Sequence, residues 1–144
     1  EKEAAAFASE KADYDANIAA LAKATASVEK GMSGAFLQTN AAQVLKNLIS
    51  SKTDMIDADR EELTAFLSGT SGDGYAPASG EITGILKQMQ ETMSKSLADA
   101  TAAEEDSIKS YEGLMAAKTK EVEALTAAIE SKTKRIGELG VEIV

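Results

Sequence analysis

The feature that most constrains this chain is a run of residues whose apolar members recur at alternating steps of four and three. From Leu97 the seam passes through Thr101, Glu104, Ile108, Tyr111, Met115, Lys118, Val122, Leu125, Ile129, Lys132, Ile136 and Leu139 to Ile143. That is the heptad spacing of a helix that lays one narrow stripe against a partner. A strand would need a period of two, and nothing in this stretch supplies it. Residues 3–31 repeat the pattern through Phe7, Lys11, Tyr14, Ile18, Leu21, Thr25 and Val28 to Met32, with Lys11 and Thr25 as interruptions.

Two further stretches complete the helical reading. Leu45, Leu48, Met55, Ile56, Leu63, Phe66 and Leu67 form a stripe over a second helix expected at 40–68. Its start falls at Thr39 or Asn40, where Asn40 with Gln43 resembles a capping box, and the weak Ser50-Ser51-Lys52-Thr53 stretch is a candidate kink. Ile82, Leu86, Met89 and Met93 open a third helix expected at 80–143. The step from Met93 to Leu97 is four where three is due, a discontinuity that locally unwinds a left-handed supercoil. Asp99–Ser107 and Gly113 are the places where this helix would fold back, if it does so.

Between the helices the punctuation is sharp. Gly31 and the Ser33-Gly34 pair end the first helix, and Ser68-Gly69 ends the second. A glycine-rich loop follows over 69–79, reaching 81 at its widest, and holds Tyr75 and Pro77, the only proline of the chain. Tyr75 either docks this loop on a neighbour or packs on its own helix end. The fold class is therefore all-α: an elongated coiled coil, or an antiparallel helical hairpin or bundle, with one very long C-terminal helix. The whole chain, 1–144, reads as a single elongated helical unit.

Composition agrees with long helices on a narrow seam. Alanine occurs 27 times against three Phe, three Tyr and no Trp. Alanine is the best helix former and permits close helix approach, but it buries little area. Cysteine and histidine are both missing from the sequence. Disulfides, thiolate metal sites, cysteine nucleophiles and the commonest general base go with them. Bulk to form a pocket is scarce, and no acidic pair is marked out for acid–base work, so no enzyme is expected.

The formal net charge is −9, with acids and bases interspersed. No segment is basic enough to grip phosphates, so nucleic acid is not an expected partner, and no apolar run is long enough for membrane insertion. No small-molecule substrate and no cofactor are expected. Weakly held Ca²⁺ is the one ligand the surface suggests, with Asp57, Asp59, Glu61, Glu62, Glu104, Glu105 and Asp106 as candidate contacts. They lack the central glycine and terminal glutamate of an EF-hand loop. Gly69, Gly72 and Gly74 likewise lack the Lys-Ser/Thr of a phosphate-binding loop.

The third helix is about twice as long as either of the others. Either the shorter two line up along it, or part of its seam is left for another chain. Phe7, Tyr14, Ile18, Leu21, Val28, Leu45, Leu48, Ile82, Leu86, Met89, Ile108, Tyr111, Val122, Leu125, Ile129 and Ile136 are the candidate assembly seam. The expected partners are copies of the chain itself and related helical subunits. A start at Glu1 and an end on apolar residues in register suggest a processed product or a fragment.

Several strings carry a family resemblance: Gly34-Ala35-Phe36-Leu37-Gln38-Thr39, the run from Tyr75 to Met89, Ser110 to Lys118, and Gly137 to Val141. Together they resemble acidic helical proteins of dinoflagellates, which in turn look like the trichocyst matrix proteins of alveolate protists. The resemblance spreads over most of the chain from about residue 30 onward. It implies a structural, self-assembling subunit of a filament or crystalline matrix inside an extrusive secretory organelle, discharged by exocytosis to the extracellular space with Ca²⁺ as trigger. Ciliate members often carry cysteine, and this chain carries none, which excludes a disulfide-linked assembly. The alternative is an intracellular coiled-coil scaffold or linker of a cytoskeletal or photosynthetic assembly, in the cytoplasm or a plastid.

Overall fold

The computed structural model describes residues 2–53, 55–69 and 79–143. The loop expected over 69–79 therefore lies outside the described residues except at its two ends, and with it the readings of Tyr75 and Pro77. Asp54 and Val144 lie outside them as well. Five helices follow in order: α1 (Lys2–Glu29), α2 (Ser33–Phe36), α3 (Asn40–Ser51), α4 (Asp57–Ser68) and α5 (Ser79–Glu142). Among the described residues there is no strand, and the fold is all-α with one very long C-terminal helix. The chain divides into two compact units, Glu1–Ala100 and Thr101–Val144.

Helix ends follow the local chemistry. Past Glu29 the chain turns through Gly31 at φ 68°, a left-handed conformation that costs glycine nothing. Met32 N–H donates to Ser27 O (2.8 Å) and Gly31 N–H to Val28 O (3.0 Å). That 6→1 and 5→2 pair is a Schellman cap, satisfying carbonyls the helix would otherwise orphan. The cap of α3 is Thr39 rather than the Asn40–Gln43 box. Thr39 Oγ1 accepts from Ala42 N–H at 3.3 Å and donates to Phe36 O at 2.7 Å. Gln43 instead reaches forward, Nε2 donating to Asn47 Oδ1 at 3.1 Å.

The helix expected over 40–68 is two helices, not one. Ser50 Oγ donates back to Lys46 O and Ser51 Oγ to Leu48 O, both at 2.9 Å. Such hydroxyls compete with the backbone ladder near a helix end. Lys52 (ψ 116°) and Ile56 (ψ 133°) are extended, and the helix restarts at Asp57. Arg60 then reaches back eight residues, its Nη2 donating to Lys52 O at 2.7 Å and satisfying a carbonyl at the break. Helices α3 and α4 pack on each other as a hairpin, and Phe66 of α4 stacks on Phe36 of α2 with ring centroids 6.4 Å apart. Gly69, left-handed at φ 66°, ends α4 with Leu37 Cδ1 3.5 Å from where a Cβ would stand.

The core of the first unit draws on every helix. Leu21, Val28, Phe36, Leu45, Leu48, Leu63, Leu67, Ile82, Leu86 and Met89 belong to one buried apolar cluster. Tyr14, Ile18, Met55, Phe66 and Ile85 pack on its edge. Thr25 is buried in the seam of α1, and its hydroxyl donates to Leu21 O at 2.9 Å, so it brings no unmet polar group with it. Lys11, the other interruption, is exposed and pairs with Asp15 at 2.9 Å.

The second unit is the part of α5 beyond Ala100. No fold-back occurs at Asp99–Ser107 or at Gly113, where the helix continues. Thr101 and Glu104 are partly buried, and every residue from Glu105 to Ile143 is exposed.

Candidate assembly surface

The seam proposed from sequence separates into two classes. Leu21, Val28, Leu45, Leu48, Ile82, Leu86 and Met89 are buried inside the first unit and so are core, not assembly surface. Phe7, Tyr14 and Ile18 are partly buried there. The reason is that the α3–α4 hairpin, α1 and the start of α5 satisfy one another's stripes. Ile108, Tyr111, Val122, Leu125, Ile129 and Ile136 stay exposed.

That exposure is concentrated. The first unit leaves only Met32 and Ile56 as exposed large apolar residues among those described, both at helix ends. In the second unit Leu114, Met115, Leu139, Val141 and Ile143 are exposed as well. Leu114 and Val141 lie outside the seam drawn from the sequence. Leu114 flanks the stripe beside Met115, so a pattern strictly confined to the seam misses it.

Lettered as heptads, position a of this stripe holds Thr101, Ile108, Met115, Val122, Ile129, Ile136 and Ile143. Position d holds Glu104, Tyr111, Lys118, Leu125, Lys132 and Leu139. Charge thus enters at alternate d positions. Lys118 Nζ contacts Glu121 Oε2 at 2.7 Å on the same helix, holding the ammonium at the edge of the stripe. Thr119 and Thr126 flank the stripe at e, and their hydroxyls donate back to Met115 O (2.9 Å) and Val122 O (2.8 Å). Those edges can lose water without leaving a hydroxyl unpaired. The helix itself is supported by near-neighbour pairs, including Lys109–Asp106 (3.6 Å) and Lys134–Glu138 (3.9 Å).

The acidic candidates do not converge. Among the described residues no group of three or more carboxylates is arranged to hold a metal ion. Asp57 and Asp59 sit in the first turn of α4 with Glu61 and Glu62 following, where they complement the helix dipole. Glu105 and Asp106 are exposed and Glu104 is partly buried, on the open part of α5. The grooves of the first unit are shallow. One near the α3–α4 break, about 230 Å³, is lined by Met55, Ile56, Ile85 and Met89 with Lys52 and Asp59 at its rim.

No family model, no curated protein and no solved structure matches the chain. Among the described residues no helix is long and apolar enough to cross a membrane.

Proposed function

We propose that this chain is a structural, self-assembling helical subunit, and that its work is done by helix pairing rather than catalysis. The observation that carries the reading is the exposed heptad stripe beyond Ala100, beside a first unit whose own stripes are largely covered. Apolar residues at this spacing gain their stability from a facing helix. The trichocyst matrix-like strings support a place in a filament or crystalline matrix of an extrusive organelle, with copies of the chain and related helical subunits as neighbours. Discharge triggered by Ca²⁺ belongs to the same proposal.

The test is sedimentation of the full chain and of Ile129→Asp, with electron microscopy of any polymer. A charge in the middle of the stripe should abolish association while helical content and the melting of the first unit hold. Identical, monomeric sedimentation of both proteins at high micromolar concentration would overturn the assembly reading. A Ca²⁺ titration followed by light scattering tests the trigger separately, since identical assemblies with and without the ion would remove it.

A further inference from the structure

The stripe also carries information about what covers it. We propose that a second copy of this chain covers it, running antiparallel and centred on Ala127. In that register Ala128 meets its own counterpart and Glu121 meets the partner's Arg135. This inference rests on the assembly reading above and adds the occupant, its direction and its register.

The argument starts from the charges at d. In a parallel, in-register pair each d residue faces itself, so Lys118 would face Lys118 and Lys132 would face Lys132 inside the seam. Flanking charges could offset this only through g-to-e contacts. The g residues Glu121 and Arg135 would there meet Thr126 and Gly140, so no ion pair forms. An antiparallel pair sets a against d, which places each seam lysine opposite an aliphatic residue. Its stem then packs while its ammonium reaches the edge. The Lys118–Glu121 contact of 2.7 Å already holds one of them in that position.

Register follows from the same residues. Centred on Ala127, Leu125 packs on the partner's Ile129, Met115 on its Leu139, and Lys118 and Lys132 on its Ile136 and Val122. The g residues Glu121 and Arg135 then meet as opposite charges, twice by symmetry. Sliding the copies by one heptad sets Glu121 against the partner's Ala128 in one direction and the partner's Glu142 in the other. Sliding by two toward the N-terminus sets Glu121 against itself. Only the register centred on Ala127 pairs these charges favourably.

The small central residues, Thr126 and Ala128, permit close approach, and the Thr126 hydroxyl is already bonded to Val122 O at 2.8 Å. Size is sufficient too. Burying an aliphatic side chain removes roughly 60 Å² or more of apolar area. The seam positions of two copies together then reach on the order of 1,000 Å², where specific interfaces begin.

The chain has no cysteine, so single labels can be placed without background. Spin labels on Ala127→Cys and, separately, on Ser110→Cys of the full chain read the direction. At 1.5 Å per residue the antiparallel register puts the two Ser110→Cys labels about 50 Å apart along the axis, while the Ala127→Cys labels are separated only by the width of the pair. Equal short distances at both sites mean a parallel pair and overturn the proposal. An axial Ser110→Cys separation of about 40 or 60 Å means a register one heptad away and overturns it also.

Sedimentation of the labelled proteins separates these failures from failure of the assembly reading, because a monomer gives no dipolar distance at all. Glu121→Arg alone should weaken the dimer about tenfold, and adding Arg135→Glu should restore it. A double variant as weak as the single one would overturn the Glu121–Arg135 pairing.

Discussion

Helix α5 is used in two ways along its length. Over Ile82–Met93 its apolar residues are buried among α1, α3 and α4; from Ile108 to Ile143 the same kind of residue stands exposed. Both stretches have heptad spacing. They differ in what sits between the apolar residues: Ile82, Leu86, Met89 and Met93 follow one another without a break, whereas Lys118 and Lys132 interrupt the later stripe. A closed core would strand those ammonium groups away from water at high cost, and a two-helix seam lets them reach its edge. The comparison teaches that charge at seam positions, more than apolar content, separates the buried stretch from the exposed one. Lys11 obeys the same rule in α1: it is exposed between the partly buried Phe7 and Tyr14, while the uncharged Leu21, Thr25 and Val28 further along the stripe are buried.

The strongest way to break this comparison is one truncation in each region. Leu86 is 0% exposed, and Leu86→Ala should destabilise the first unit by about 2–5 kcal/mol, read by urea denaturation. Leu125, 56% exposed in the chain alone, should lose almost nothing by the same change in dilute monomer and show its effect only in the association constant. Equal losses for both in monomer would mean that the two stretches are not used differently.

A smaller effect sharpens the account of the first unit. Thr39 fastens the start of α3 through two hydrogen bonds, to Ala42 N–H and Phe36 O. Thr39→Ala should cost about 1 kcal/mol in the same denaturation, while Asn40→Ala, at the other start the sequence allows, should cost clearly less. The reverse order would return the cap to Asn40.

How much of this was legible in the sequence depends on which force decides each element. Helix existence and the glycine stops at Gly31 and Gly69 were legible, because periodicity and left-handed backbone are local properties. The division of 40–68 was legible only as a candidate kink. What completes it is Arg60 reaching Lys52 O from the next helix, a contact that no spacing announces. The stripe was legible as positions at helical spacing, but the sequence could not divide it into buried and exposed parts. That division depends on which stripes meet once α3 and α4 fold back on each other, and burial of Leu45 beside Leu63 is a tertiary event. Ile56 makes the same point from the other side. It counts as a stripe residue on a continuous helix, yet it is exposed because the break places it at a cap.

The smallest effect concerns the ion pair that joins α5 to α1, Lys87 Nζ to Glu29 Oε1 at 2.8 Å. Both side chains are about half exposed, so solvent screens the pair and its coupling should be only about 0.2–1 kcal/mol. A double-mutant cycle with Lys87→Ala and Glu29→Ala measures it, and raising salt from 0.05 to 1 M should shrink the coupling toward zero. The Leu86→Ala loss, which comes from apolar burial, should survive the same salt. If instead the Lys87–Glu29 coupling matched the Leu86→Ala loss, this end of α5 would be held to α1 by charge. The contrast with the open stripe would then have to be redrawn in electrostatic terms.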